Sequence, residues 1–89
     1  MRAYTVSDFR RDMRDGRLTM PGRYPRFFLM SDGECLSFEA ARENRRLILD
    51  SIANCLNDGW RIVGCDINWE DADMVCCHSG QKIESAYAD

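Results

Sequence analysis

No apolar stretch in this 89-residue chain approaches the ~18 residues needed to cross a bilayer, and the segment MRAYTVSDFRRDM has no apolar signal core. The chain is therefore expected to be soluble and cytoplasmic, with no membrane partner. Gly-rich phosphate loops, a G-x-S-x-G elbow and an H-E-x-x-H pair are all missing, so a non-enzymatic role without a cofactor is expected. No C-x-x-C pair occurs either. The five cysteines, Cys35, Cys55, Cys65, Cys76 and Cys77, and the single histidine, His78, lack the paired spacing that closes a zinc knuckle. A site could be assembled from Cys35, Cys65, Cys76 or Cys77 and His78, giving a zinc-stabilised interaction module. Adjacent residues on a strand point to opposite faces, however, and buried reduced thiols are the simpler expectation.

Lysine is almost absent: eleven of the twelve basic residues are arginine and Lys82 is the exception. That bias favours planar, bidentate pairing with carboxylate or phosphate. The net charge of −3 is unevenly spread. Residues 1–46 hold ten arginines against seven acids, whereas residues 47–89 hold Arg61 and Lys82 against eight. Opposite-signed halves can steer two kinds of partner, or can neutralise each other through surface pairs worth ~0–1 kcal/mol each.

With 45% apolar and 30% charged residues, the composition is that of one globular domain spanning residues 1–89. Thr5 or Ser7 can cap a short helix over about 6–15, with Asp8 at the capping-box position, Val6, Phe9 and Met13 at helical spacing, and Gly16 as a stop. On it Arg10, Arg11 and Arg14 are expected to project away from Phe9 and Met13. Pro21-Gly22-Arg23-Tyr24-Pro25 is loop chemistry. Arg26 to Met30 predicts a strand, Asp32-Gly33 a hairpin turn, and Cys35-Leu36-Ser37 its return.

Ser37 then caps one long helix over about 38–57, with Gly59 as its left-handed terminator. Trp60 to Trp69 reads as the central strand, with Trp60 in the core, and Met74 to Cys77 with Lys82 to Glu84 as further strands, so that C-terminal hairpins fill about 60–84. The tail Ser85 to Asp89 is expected to fray. The sum is a small α+β two-layer domain in which an antiparallel sheet of about four strands packs on one long helix, as a monomer or homodimer.

Two surfaces stand out as binding candidates. Asp66, Glu70, Asp71 and Asp73 beside Trp69 place four carboxylates next to a ring, the pattern a basic groove would accept in place of nucleic acid. Calcium is not expected there, because the D-x-D-x-D-G loop with its terminal glutamate is missing. The other candidate is the arginine-rich half: Arg10, Arg11, Arg14, Arg17, Arg23 and Arg26 lie near Tyr24, Phe27 and Phe28, a mixture suited to phosphate contacts and base stacking. A pI near 5.1 weighs against a dedicated nucleic-acid binder.

Tyr4-Thr5-Val6 with Phe9-Arg10, Pro21-Gly22 with Tyr24-Pro25-Arg26, Ser31-Asp32-Gly33, Asp66 to Asp71 and Ile83-Glu84-Ser85-Ala86-Tyr87 together resemble small uncharacterised proteins of tailed phages and mobile elements. The resemblance spans nearly the whole chain and carries no catalytic residue. It implies an accessory protein that inhibits a host defence system by stoichiometric protein binding, most specifically an anti-CRISPR protein occupying the nucleic-acid-binding surface of a Cas complex. The alternative is a small nucleic-acid-binding regulator.

Overall fold

Thr5 opens the first helix by reciprocal capping: its hydroxyl accepts from the Asp8 N–H at 3.1 Å, and the Asp8 carboxylate accepts from the Thr5 N–H at 3.0 Å. The computed structural model, which describes residues 3–19, 22–56 and 58–87, places helix α1 at Val6–Asp15, as the capping pattern predicts. Strand β1 (Arg26–Met30) turns through Ser31 to Gly33, with Gly33 at φ +88°, into the two-residue strand β2 (Cys35–Leu36). Helices α2 (Phe38–Glu43) and α3 (Arg45–Asn54) follow, then strand β3 (Ile62–Ile67).

The sheet has the order β2-β1-β3 and is antiparallel throughout. The central position thus belongs to β1, not to the Trp60 to Trp69 segment. Phe28 and Met30 are buried between two partners, the position that a continuous apolar run is suited to fill. Opposite-facing registers put Phe28 against Cys65 on the helix side, and Phe27 against Asp66 on the face turned away from the helices. A bulge between Leu29 and Met30 shifts the register before Ile62.

Three further expectations need correction. The long helix is two helices, because Asn44 competes for the carbonyl of Ala40 with its side-chain amide at 2.9 Å as well as its backbone N–H at 3.1 Å, and takes φ −114°, ψ 25°. The second helix ends at Asn54 rather than near 57. Cys55 adopts the left-handed conformation while Leu56 N–H donates to Ser51 and Cys55 N–H to Ile52, a Schellman closure made without glycine. Gly59 lies instead in a turn where the Asp58 carboxylate accepts from the Trp60 N–H and the buried Ser51 hydroxyl, and the Ser51 bond with the Trp60 N–H holds that carboxyl below its usual range. Finally, a fourth strand does not form among the described residues. Met74 to Ile83 makes an isolated bridge, Val75 with Lys82, and the Cys77 N–H donates to the Cys35 carbonyl. Met20, Pro21, Asn57, Ala88 and Asp89, parts of the expected loop, helix end and tail, lie outside the described residues.

All three helices cover one face of the sheet. Phe9 and Phe38 pack on Phe28 with ring centroids 5.5 and 4.3 Å away. Arg26 fastens the layers together: its guanidinium donates to the carbonyls of Gly16 (2.7 Å) and Asp12 (3.0 Å) at the end of α1, approaches the buried Asp12 carboxylate at 3.5 Å, and lies 5.2 Å from the Phe38 ring centre. The Tyr4 hydroxyl donates to the same carboxylate at 2.6 Å, and burial together with that negative charge pushes its pKa up.

A non-glycine residue in the left-handed region costs about 1 kcal/mol. Cys55 is exposed, so Cys55→Gly is expected to raise stability by up to ~1 kcal/mol. Urea unfolding of the two proteins, with equal m-values, measures the gain.

Candidate functional site

The end of β3 runs into residues that have no ladder to join, and Asn68 organises them. Its side chain is buried. Its amide nitrogen donates to the carbonyls of Asp71 (3.0 Å) and Glu84 (3.1 Å) and lies 3.4 Å from that of Ile83, while its amide oxygen accepts from the Asp71 N–H at 3.1 Å. Its backbone N–H reaches the Pro25 carbonyl at 2.9 Å and its own carbonyl accepts from Ala86 at 2.8 Å. One residue thereby holds the 24–25 loop, the acidic turn and the C-terminal segment side by side.

This arrangement gathers three rings at the surface. Trp69 packs against Tyr24 at 4.8 Å and stacks on Tyr87 at 5.9 Å with planes 14° apart; the Tyr24 and Tyr87 ring centroids are 6.2 Å apart, and the nearness of the Tyr24 hydroxyl raises the Tyr87 pKa. Trp69 remains 43% exposed and Tyr87 65%. Residues 85–87 therefore do not fray: the Tyr87 N–H donates to the Trp69 carbonyl at 2.9 Å. Gly22, at φ +105°, lies under the Tyr24 ring, where a Cβ would come within 2.8 Å of Cε2.

All four expected carboxylates are exposed around these rings in sequence. Two also shape the backbone: Asp66 accepts from the Ile67 N–H at 2.7 Å, and Asp71 from the Asp73 N–H at 2.9 Å. The carboxylates of Glu70 and Asp73 have no partner among the described residues. An exposed indole held by two tyrosines, with carboxylates flanking it in sequence, combines apolar area with negative charge.

No family model, curated protein or solved structure matches this chain. What the surface can do is read from its own geometry.

The arginines divide into two groups. Arg11 lies 3.4 Å from Asp8 and 3.7 Å from Asp12, Arg17 is 2.7 Å from Glu84 and 3.8 Å from Glu39, and Arg26 is part of the interior. Phe28 is fully buried. Three of the six arginines expected to contact nucleic acid therefore have partners within the chain, and Phe28 is not open to stacking. Arg10 and Arg14, by contrast, are exposed and lie in one cleft with Phe9 and Met13 rather than on an opposite face.

Among the described residues, no group of three or more His, Cys, Asp or Glu is placed to hold a metal ion. Cys65 lies on the helix side of the sheet, where burial pushes its thiol up to about 12, while His78 packs against Trp60 with ring centroids 5.0 Å apart. Trp60, expected in the core, is half-buried at its edge. Cys76 is buried beside the start of α2. Burial disfavours its thiolate, but hydrogen bonds from Ser37, whose N–H lies 3.4 Å from Sγ, and from Ser79 outweigh that cost and lower it to about 7.

The sequence grouped Trp69 with the acids and Tyr24 with the arginines, and marked neither Asn68 nor Tyr87 as a site residue. The available signal was the pair Asn68-Trp69: a polar amide directly after a β-branched strand marks a backbone that needs side-chain partners.

Asn68→Ala is expected to cost ~2–4 kcal/mol, since it strands the carbonyls of Asp71 and Glu84, and to move Trp69 fluorescence toward that of free indole in water. Chemical unfolding and the tryptophan emission maximum check both effects. A folded-state thiol at about 7 against an ordinary 9.0 means that the native protein loses the Cys76 proton first. Stability should then rise between about pH 7 and about pH 9 and be lost again on acidification through about 7. Urea midpoints across that window should rise in the native protein and flatten in Cys76→Ala.

Proposed function

We propose that the protein is a stoichiometric, protein-binding inhibitor of a host defence complex, of the accessory type suggested by its likeness to small phage and mobile-element proteins, with a Cas complex in the host cytoplasm as its specific target. The observation that supports this reading is Trp69, exposed yet packed against Tyr24 and Tyr87 and flanked in sequence by Asp66, Glu70, Asp71 and Asp73. A groove built for nucleic acid offers cationic side chains for phosphates and flat surfaces for bases. Carboxylates near a preorganised ring present the same two features in protein form. Rigidity matters because immobilising a free side chain costs about 0.5–1.5 kcal/mol on binding, and these rings are already ordered.

The test is interference in cells that carry an active CRISPR system. Production of the protein should restore transformation by a targeted plasmid, and a tagged copy should retain a Cas subunit after nuclease treatment of the lysate. Trp69→Ala combined with Glu70→Gln and Asp73→Asn should abolish both effects while circular dichroism shows that the fold is kept. Inhibition that survives these three substitutions would exclude the surface, and capture that disappears on nuclease treatment would favour a nucleic-acid binder.

A further inference from the structure

Helix α1 crosses α2 and α3 at a cleft of about 330 Å³ lined by Phe9, Arg10, Met13, Arg14, Arg42 and Arg45. Arg10 and Arg14 stand one turn apart on α1, and Arg42 and Arg45 flank the break at Asn44 on the other wall. All four are exposed, and none makes an ion pair or a side-chain hydrogen bond among the described residues. A second hollow shares Arg45 and continues to Arg46 and the half-buried Leu49. The result is a track of five guanidiniums interleaved with Met13 and Leu49, on the helix layer and so apart from Asp66 on the outer face of the sheet.

Unneutralised arginines at this spacing repel one another, and the fold gains nothing from gathering them. Their common use is fork-like pairing with planar anions. Two anionic occupants fit that chemistry, a nucleic-acid backbone and an acidic peptide, and the lining discriminates between them. No exposed aromatic side chain lines the cleft or its extension, so bases would have nothing to stack on. Met13 and Leu49 offer apolar contacts between the charges instead. We propose that the α1/α2–α3 cleft is a docking site for an acidic, amphipathic peptide segment of a protein partner, with carboxylates on Arg10, Arg14, Arg42 and Arg45 and an apolar side chain on Met13. It is separate from the aromatic surface around Trp69, so either can fail without the other.

The probe is a fluorescein-labelled peptide of alternating Glu and Leu residues, followed by fluorescence polarisation with the full chain at low and at physiological salt. The expected result is saturable binding that weakens with salt, falls at least about tenfold in Arg14→Gln/Arg42→Gln, and is unchanged in Trp69→Ala. The same peptide with Lys in place of Glu should not bind. Should the double variant unfold, Arg45→Gln alone replaces it, with circular dichroism confirming the fold. An oligothymidylate that binds more tightly than the peptide would overturn the proposal in favour of nucleic acid. Absence of peptide binding at low salt would overturn it outright. Concentration-dependent self-association lost in Arg14→Gln/Arg42→Gln would overturn it in favour of a second copy of the chain.

Discussion

Residues 68–87 contain neither a helix nor a strand of more than one bridge, yet part of their backbone is buried, so their polar groups need partners from elsewhere. The Asn68 side chain supplies several of them. An amide can donate twice and accept twice, the inventory of a peptide unit and more, and here it takes the place of a ladder for a segment that has none. The consequence reaches outward in steps. Fixing the acidic turn and Ala86 against Asn68 stacks Tyr87 on Trp69, and the Pro25 contact brings Tyr24 against both rings, so that the three close a triangle. An exposed tryptophan would sample several rotamers if it were alone; packed against two tyrosines it is held in one.

Helix layer and sheet meet through a different buried group. Arg26 is charged and largely enclosed, which is unfavourable unless every donor finds an acceptor. Its acceptors are the carbonyls that α1 leaves unsatisfied at its C-terminal end, together with the Asp12 carboxylate. Helix termination and burial of a charge thus resolve each other. Arg11 and Arg17 are taken up by surface pairs with acids, whereas Arg10 and Arg14 make no ion pair among the described residues: Asp8 and Asp12 on the same helix approach Arg11 and Arg26 instead.

Local signals in the sequence were legible where a single residue decides the structure. Thr5 with Asp8 marked α1, Ser37 marked the start of α2, and the run from Arg26 to Met30 with Asp32-Gly33 marked the hairpin. Reading failed where two local preferences competed. Ala41, Ile48 and Ile52 keep one helical period across Asn44, so periodicity runs through a break that a side-chain amide creates. Gly59 looks like a helix stop, but Cys55 is closer and the Schellman bonds form there despite its side chain. Long-range pairing was invisible to either kind of signal. That β1 rather than the Trp60 to Trp69 segment takes the centre of the sheet depends on which strand is apolar enough to be covered on both edges. For the site, the acids and Trp69 could be named because they are contiguous, whereas Tyr24 and Tyr87 reach Trp69 from positions far apart in the chain.

The two surfaces differ in how they were freed from structural duty, and that difference bears on what each can bind. Around Trp69, Asp66 and Asp71 already accept backbone hydrogen bonds, so a partner meets carboxylates whose positions are set but whose remaining lone pairs are open. Recognition there gains from preorganisation and from the large apolar area of the rings. In the helix cleft the guanidiniums are unpaired and keep their rotamer freedom, so a partner must order them, and binding depends more on charge and therefore on salt. A chain with net charge −3 can carry both surfaces because the sheet separates Asp66 from the helix layer, and because two acids of α1, Asp8 and Asp12, are buried against Arg11, Arg26 and Tyr4. Net charge alone would have argued against any anion-binding surface; its distribution argues for one.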